Sequence, residues 1–392
     1  MNNPAKKYSE LYHSTLLLDV IPFWEKYSPD YPYGGYFTCL DREGRVYDKD
    51  KFTWLQGRQA WCFSMLYNEV EQKTEWLEMS RLGIDFLKKH AMDPNGNFYF
   101  SLNQKGEPLV QPYNIFSDCF AAMAFAQFSK AAQDEESKRL AVTTFYNILK
   151  RRSDPKGIYN KIIPNSRPLK NFALPMILSN LCLEIEHLLD PSLVENLIQE
   201  CVSEVMDVFL DKESLLVYEN LLNNNGFSDS FEGRLINPGH GIEAMWFMLD
   251  IAKRRNDPEL AQRAKDVIIK QVEFGWDREF GGIFYFLDIK GNPPQQLEWD
   301  QKLWWVHLET LVALAKAYKM TSDPICWEWF EKVHEYSWGK FADPEYGEWF
   351  GYLNRRGEVL VPSKGGKWKG CFHVPRAMFQ VWKTLEDIEP PT

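Results

Sequence analysis

Two histidines stand at matching places in the sequence, each at the start of an apolar, helix-forming stretch. His240 lies in "NPGHGIEA" and His373 lies in "KGCFHVPRAMF". A free imidazole has a pKa near ~6.5, so at neutral pH one ring can accept a proton while a second, protonated ring delivers one. The pair therefore predicts two-base proton transfer. The alternative is that the rings only cap or pack a helix end.

Three charged residues accompany the histidines on apolar helices. Arg58 lies in "WLQGRQAW", Glu309 lies in "WWVHLET", and Glu243 follows His240 by nearly one helical turn. A charge inside an apolar helix is costly unless it is paired or functional. We therefore expect Arg58 either to pair with Glu309 or Glu243, or to be free to bind an anionic or enolate oxygen of a ligand. Glu243 can orient the His240 ring, and His307 is interpreted as structural.

Aromatic residues indicate the chemistry of the ligand. The chain contains 15 Trp, and a ligand pocket is commonly lined by aromatic side chains with a few polar groups. Sugars are polar at their edges and apolar on their faces, so aromatic walls indicate a carbohydrate. The predicted substrate-binding residues are Glu243, Trp61, Trp305 and Asn171.

A short pattern recurs along the chain: glycine, an aromatic pair, an extended stretch, Asp or Asn, and a second glycine, as in "GGIFYFLDIKG". Alternating apolar residues with such a turn are typical of a β-hairpin. Successive copies begin 58 to 66 residues apart, which gives six units. They begin at Gly34, Gly96, Gly157, Leu215, Gly281 and Gly347, of which the third and fourth are weaker copies.

Two kinds of helix alternate between these hairpins. "FSDCFAAMAFAQF" and similar stretches are apolar almost all round, whereas "EWLEMSRLGIDFLKKH" and similar stretches are charged on one face. Helices that are apolar on all sides lie inside a protein, and one-sided helices face solvent. The sequence therefore predicts an all-α fold, an (α/α)6 barrel (toroid) of six inner and six outer helices, with short β-hairpins at one end. One catalytic domain would span residues 1–392; an open TPR-like solenoid has a much shorter repeat.

The barrel makes the first turns of the inner helices informative, because they converge on the axial cavity. Polar and titratable residues inside an apolar neighbourhood are typical of a binding pocket. The residues predicted there are Arg58, Asp118, the stretch 171–175, His240, His307, Glu309 and His373.

Composition excludes several classes of partner. The formal net charge is −10, which argues against nucleic acid or an anionic membrane. Seven cysteines are scattered without a CxxC pair, so we predict no metal site and a reducing compartment. The N-terminal "MNNPAKKYSELYHSTLLLDV" is a poor signal peptide, and no apolar run is long enough to span a bilayer. We therefore predict a cytoplasmic protein that acts on a small molecule.

Two other functional classes stay open at this point. A toroidal glycoside hydrolase needs two acids flanking the scissile bond, and no acid pair stands out as the histidines do. A non-catalytic binding protein would not depend on the histidines. The basic segment "KRRSDPKGIYNK" at 150–161 is interpreted as a solvated face, with contact to a nucleotide phosphate as the second interpretation.

Three segments together resemble the N-acylglucosamine 2-epimerases, also known as renin-binding proteins: "NPGHGIEA", "GGIFYFLDIKG…KLWWVHLET" and "WKGCFHVPRAMF". The resemblance runs through essentially the whole chain and points to a bacterial, cyanobacterial-type member. It implies an (α/α)6 barrel that interconverts N-acetyl-D-glucosamine and N-acetyl-D-mannosamine. It also implies His240 and His373 as the acid/base pair, with Arg58 and Glu309 as essential partners and Glu243 as a helper.

The resemblance further implies a homodimer and stimulation by ATP that is not consumed, so that ATP would be an allosteric activator rather than a cofactor. No motif places that nucleotide. The candidate contacts come from the basic segment and are Lys150, Arg151, Arg152 and Lys156.

One departure from related enzymes is informative. Cellobiose epimerases and aldose-ketose isomerases of this fold carry a further histidine in the third inner helix, where this chain has "KNFALPMILSN". The missing histidine favours the N-acyl branch, with another sugar epimerase or isomerase of the same fold as the alternative. In the mechanism we hypothesise, His373 removes the C2 proton of the open-chain sugar. Arg58 then stabilises the resulting oxyanion, and His240 returns a proton to the opposite face.

Overall fold

The computed structural model describes residues 4–163 and 166–388. The predicted domain, residues 1–392, extends beyond this range at both ends. Within the described residues, no helix is long and apolar enough to cross a membrane.

The helices form two layers. The outer layer contains α1 and α2, which a π-helical turn (Leu16–Val20) joins into one continuous rod, and five further helices. Their bounds are α1 Pro4–Thr15, α2 Ile21–Tyr27, α4 Thr74–His90, α6 Glu135–Arg151, α8 Pro191–Ser203, α10 Pro258–Gly275 and α12 Pro324–Lys340. The inner layer contains α3 Thr53–Glu69, α5 Phe116–Ala132, α7 Ala173–Ile185, α9 Pro238–Arg255, α11 Trp304–Thr321 and α13 His373–Glu386.

Aspartates set where the outer helices begin. Asp134, Asp190, Asp257 and Asp323 are the N-caps of α6, α8, α10 and α12, and each carboxylate accepts a backbone N–H of the first turn. Proline follows three of these caps, where its fixed φ suits the first helical position. The inner helices are buried on nearly all sides, as their apolar sequences predict.

Contacts between successive inner helices make a closed ring. Each inner helix packs against the next, from α3 through α5, α7, α9 and α11 to α13. Phe372, which precedes α13, closes the circle of helices. Its aromatic side chain lies 5.4 Å from that of Trp61 on α3 and 5.5 Å from that of Phe120 on α5, between centroids. The chain is therefore an (α/α)6 barrel, as predicted.

The six sequence repeats share one backbone feature. The residue that begins each copy has a positive φ, between +50° and +80°. Five of these residues are glycines, which adopt this conformation without steric cost, and the sixth is Leu215 at +57°. The weak copy at Leu215 is thus a true member of the series.

The strands connect neighbouring repeats. Four strands that directly precede an inner helix pair antiparallel with a strand in the following repeat: β1 with β2, β4 with β5, β6 with β7, and β8 with β9. Among the described residues, only β2–β3 and β9–β10 are hairpins inside one repeat, so the predicted hairpins are mostly single bridges around a tight turn. The bounds are β1 Lys51–Phe52, β2 Ser101–Leu102, β3 Pro108–Val110, β4 Leu169–Asn171, β5 Asn220–Leu222, β6 Leu235–Ile236, β7 Leu287–Asp288, β8 Lys302–Leu303, β9 Tyr352–Leu353 and β10 Val359–Val361.

Three buried Lys–Asp pairs join the two ends of connections that run from an outer helix to the next inner helix. In each, an aspartate that follows the outer helix binds a lysine that precedes the inner helix. The Nζ–carboxylate distances are 2.7 to 3.0 Å, and each side chain is at most 2% exposed. The pairs are Asp30–Lys51, Asp277–Lys302 and Asp343–Lys364.

Candidate active site

His240 is placed by the local sequence of α9. The side chain of Asn237 accepts the backbone N–H of His240, and Pro238 occupies the first helical position. The ring then projects from the first turn, with its side chain 26% exposed, and its Nδ1 lies 2.8 Å from Oε1 of Glu219. A carboxylate only accepts, so Nδ1 carries a hydrogen and Nε2 is left for chemistry.

His373 has the same arrangement on α13. It is the first residue of the helix and is buried, and its Nδ1 lies 2.7 Å from Oε1 of Glu309. By the same reasoning Nδ1 donates to Glu309 and Nε2 is left free. Both histidines thus have the tautomer and orientation of a general acid or base.

One tryptophan contacts both histidines. The ring of Trp305 lies 5.3 Å from that of His240 and 5.8 Å from that of His373, between centroids. A Cβ added at Gly239 would come within 2.7 Å of the Trp305 indole, so the glycine beside His240 is what allows this contact. The structure therefore brings His240, His373 and Trp305 into one site, as predicted.

The surroundings move the two imidazole pKa values in opposite directions. Burial and the positive charges of Arg58 and Arg376 hold the pKa of His373 well below its ordinary value. Burial also lowers the pKa of His240, but the Glu219 and Glu243 carboxylates outweigh it, so the net shift is upward. His373 is therefore the ring more readily found neutral, and His240 is the ring that holds a proton more readily.

Arg376 is a site residue that the sequence analysis missed. Its Nη2 lies 2.5 Å from Oε1 of Glu243 and 2.7 Å from Oε1 of Glu309, and Trp246 donates to the other oxygen of Glu309 at 2.8 Å. Glu243 was predicted to orient His240. That prediction is wrong: Glu219 holds His240, and Glu243 binds the guanidinium of Arg376.

Glu243 and Glu309 also form, together with His373, the one cluster of possible metal-binding groups among the described residues. One ligand atom each of Glu243, Glu309 and His373 lies within 4.8 Å of the others. The Arg376 guanidinium already supplies a positive charge to both carboxylates. The cluster is therefore built as an ion-pair network.

Arg58 behaves differently from Arg376. Although buried, it makes no hydrogen bond or ion pair with any described residue, and its Nε has no partner. Its guanidinium instead lies 4.0 to 4.6 Å from the ring centroids of Trp54, Phe120 and Phe372. Burial and the nearby charge of Arg376 lower the pKa of Arg58 to about 9. Of the two roles considered for Arg58, the structure therefore favours the free cation over the salt bridge.

Two predicted substrate-binding residues make hydrogen bonds to groups other than the histidines. The side chain of Asn171 accepts the N–H of Ala173 at 2.9 Å and donates to the Glu219 carbonyl at 3.1 Å and to Asn220 at 3.0 Å. The indole of Trp61 donates to Glu184 at 2.8 Å. Their contact with a sugar gains no support from these placements and stays a prediction.

The basic segment 150–161 borders a large groove of about 1540 Å³. Arg152 and Lys156 line it, Lys150 is exposed outside it, and Arg151 binds buried Asp118 at 2.8 Å. Asp118, which was expected near the axial cavity, is thereby a structural residue. His307 is structural as predicted, because it accepts the Ile283 N–H and donates to the Leu303 carbonyl.

Comparison with known proteins adds the family. Residues 35–377 match the sequence model of the N-acylglucosamine 2-epimerase (GlcNAc 2-epimerase) family. The chain is 38% identical over 369 residues to the N-acylglucosamine 2-epimerase of Mus musculus, covering 92% of this chain and 87% of that protein. It is 24% identical over 391 residues to the cellobiose 2-epimerase of Bacteroides fragilis, covering 92% and 95%.

A solved structure independently supports the architecture. The cellobiose 2-epimerase from Bacillus thermoamylovorans B4167 superposes with a TM-score of 0.83 at 20% identity, covering 96% of this chain and 99% of that chain. At 20% identity this structural similarity establishes the fold only. The family is established by the match to the family model and by the 38% identity to the mouse enzyme. The chain therefore belongs to the N-acylglucosamine 2-epimerase family and is an isomerase.

Proposed function

We propose that this protein interconverts N-acetyl-D-glucosamine and N-acetyl-D-mannosamine by moving the proton on C2. One observation carries the proposal: two histidines contact the same Trp305 ring, and each has Nδ1 held by a carboxylate. Their pKa values are pushed apart, as a paired base and acid require.

The first step in the proposed mechanism acts on the open-chain sugar. The neutral Nε2 of His373 takes the C2 proton, the C2–H bond breaks, and its electron pair becomes an enolate that places negative charge on the C1 oxygen. Arg58 is the unpaired cation available to that oxygen, and a preorganised charge of this kind stabilises the transition state without reorganisation.

The second step inverts C2. The protonated Nε2 of His240 delivers a proton to the opposite face of the planar intermediate, while Glu219 keeps the ring oriented. His373 is then protonated and His240 neutral, so the reverse reaction uses the same pair with exchanged roles. Each ring must reach one face of C2, and Trp305 is the surface against which the sugar would lie between them.

Similarity favours the N-acyl sugar over a disaccharide. Identity is 38% to the mouse N-acylglucosamine 2-epimerase and 24% to the Bacteroides fragilis cellobiose 2-epimerase. The third inner helix α7 contains no histidine (residues 173–185), whereas the family resemblance implies one at this place in the disaccharide enzymes. Epimerisation or isomerisation of another aldose on the same residues is the second candidate.

Proton NMR in deuterated buffer tests the proposal. With N-acetylglucosamine as substrate, we expect N-acetylmannosamine carrying deuterium at C2. Absence of both products and exchange, with and without ATP, contradicts the proposed substrate. Cellobiose, mannose and glucose would then test the second candidate, and release of reducing ends from oligosaccharides would test a glycoside hydrolase.

We also propose that the groove beside residues 150–161 binds ATP as an activator that is not consumed. Three lining cations are ion-paired: Arg152 with Glu200, Arg167 with Glu232, and Lys170 with Glu204. Lys156 also lines the groove, and it has no ion pair with the described residues, so its charge is available to a phosphate.

Two lysines of the basic segment give a matched pair for testing the ATP site. In Lys156→Gln we expect the stimulation of turnover by ATP to weaken at least tenfold in apparent affinity. Lys150→Gln removes the same charge from an exposed position outside the groove and should leave stimulation unchanged. Equal loss in both variants, or none in Lys156→Gln, contradicts this location.

A homodimer and a cytoplasmic location complete the proposal. The described cysteines are all free thiols, and all are buried, which supports a reducing compartment. Sedimentation of the purified protein measures the oligomeric state, and a mass of one chain of 46.1 kDa contradicts the dimer.

A further inference from the structure

A second cavity lies inside the barrel, on the side away from the histidines. Its volume is about 510 Å³, within the range of small-molecule sites. His240 and His373 lie in the first turns of inner helices, whereas the cavity is lined from later turns, including Gln127 of α5, Glu184 of α7 and Asp250 of α9. Because all inner helices start at the hairpin end, the cavity belongs to the opposite end of the barrel.

Three side chains separate this cavity from the proposed active site. Arg376 lines the cavity while its Nη2 binds Glu243 and Glu309. Trp246 lines it while donating to Glu309, and Trp61 lines it while its ring contacts Phe372, next to His373. The cavity is therefore distinct from the histidine site but shares a wall with it.

One carboxylate in the cavity has no ion-pair partner among the described residues. Asp250 is paired with Lys316 and Glu186 with Arg254, but Glu184 makes no ion pair with any described residue. Its Oε2 accepts from Trp61 and Gln127, and its Oε1 accepts nothing from the described residues. Arg376, which lines the same cavity, acts on Glu184 only through longer-range electrostatic attraction. A partly exposed carboxylate with an open oxygen and no bonded cation is a site for a ligand ammonium group.

Other polar groups of the cavity also lack partners. The Nε of Arg376, although buried, has no hydrogen bond in the described structure. The amides of Asn180 and Gln380 line the cavity and likewise make no hydrogen bond with described residues. These groups can donate to, or accept from, hydroxyl groups. A buried donor without a partner is costly unless a ligand or water satisfies it.

We propose that this cavity is a second ligand site, which takes a small polyhydroxylated molecule carrying a protonated amine. The ammonium lies against Glu184, and hydroxyls meet Arg376, Asn180 and Gln380. The non-acylated amino sugars have this chemistry. The site goes beyond the proposed epimerisation, which needs neither Glu184 nor a free amine.

Calorimetric titration of the full chain with glucosamine, near neutral pH, tests the proposal. The amine is largely protonated there, whereas acid would neutralise Glu184, whose pKa burial raises. We expect binding by the wild-type protein, and binding of glucose at least tenfold weaker because glucose lacks the ammonium. Glu184→Gln keeps the shape and the hydrogen bonds of the side chain but removes the charge, and should weaken glucosamine at least tenfold. Equal binding of glucose, or undiminished binding by Glu184→Gln, overturns the proposal.

Two controls assign the binding to this cavity. Glu186→Gln removes a neighbouring charge that is already paired with Arg254, and should bind glucosamine as the wild type does. His373→Asn should also retain binding; loss there would place glucosamine in the histidine site and overturn the proposal. If circular dichroism shows that Glu184→Gln does not fold, Asn180→Leu provides the same test, with weaker binding expected.

Discussion

Nδ1 of His240 lies 2.8 Å from Oε1 of Glu219, a residue from the fourth repeat that stands 21 positions earlier in the chain. Because this carboxylate raises the pKa of His240, the imidazolium persists to higher pH than it would alone. In Glu219→Gln the pKa falls, and activity that needs a protonated His240 is lost at lower pH. We expect the alkaline limb of the kcat/KM profile to move to lower pH, while exposed Glu213→Gln leaves it in place. An unmoved limb contradicts the role of Glu219.

Replacing each histidine separately tests the two-base scheme. In His240→Asn, His373 can still remove the C2 proton of N-acetylglucosamine but no acid serves the other face. We expect exchange of that proton with deuterium without formation of N-acetylmannosamine, and the converse for His373→Asn. Epimerisation should fall by at least ~10²-fold in both. Near-normal turnover in either variant contradicts the scheme.

Arg376→Met should strongly destabilise the fold. The change leaves the Glu243 and Glu309 carboxylates without the cation that both contact, and removing one partner of a buried ion pair costs about 3–5 kcal/mol. Urea denaturation measures this free energy of unfolding. Adding Glu243→Gln should recover part of the loss, because one unpaired charge is removed.

The control for Arg376 is another arginine that binds two carboxylates. Arg254 pairs with Glu186 and Glu195 nearer the surface. Arg254→Met should cost about 0–1 kcal/mol. A cost for Arg376→Met no larger than this contradicts the structural importance of the buried network.

Arg58→Met should affect catalysis far more than stability. Arg58 gives up no hydrogen bond or ion pair to a described residue, and the loss of its contacts with three aromatic rings is offset by removal of a buried charge. We expect the free energy of unfolding to change by less than about 1 kcal/mol and kcat to fall by ~10²–10³-fold. Unchanged kcat in a folded variant contradicts the oxyanion role.

Acid should weaken the fold partly through His334. Burial, and to a lesser extent the charge of Lys7, lower the pKa of His334 to about 4. The unfolded state binds a proton below about pH 6.5, so this group's stabilisation is present above that pH. It is lost between pH ~6.5 and ~4 at up to about 1.4 kcal/mol per pH unit. Thermal unfolding across this range should show a smaller pH dependence in His334→Gln, and an equal dependence contradicts the shift.

The ring and the two histidines could be predicted from the sequence because both are periodic. The repeated glycine pattern and the alternation of helix types fix the barrel, and a first-turn position in a barrel of this kind faces the axis. The cost of a charge inside an apolar helix singled out Arg58 but left open whether its guanidinium is paired or free. These inferences depend on the spacing of residues along the chain, which can be read from the sequence without knowledge of tertiary contacts.

The partners of the histidines could not be predicted as securely. Glu219 stands in one of the two weaker repeats, one acid among many. The pairing of β4 with β5 and the bond from the Glu219 N–H to the Leu235 carbonyl bring its carboxylate to His240. Arg376, three residues after His373, is a charged residue in an apolar helix, as Arg58 is. The sequence therefore offered the same reason to select Arg376, but it was not selected. Once Arg376 is placed, Glu243 has a stronger partner than an imidazole, which is why the role predicted for Glu243 is wrong.

The three buried Lys–Asp pairs fix both ends of a connection, and only the exposed part of the chain between those ends is lightly held. In the exposed stretches 48–49 and 291–293, the chain can lengthen, shorten or change composition without moving the inner helix that follows. These intervening residues lie at the hairpin end, where the histidines open. Substrate range can therefore diverge during evolution by insertion and deletion in the loops between the paired aspartate and lysine, while His240 and His373 keep their positions.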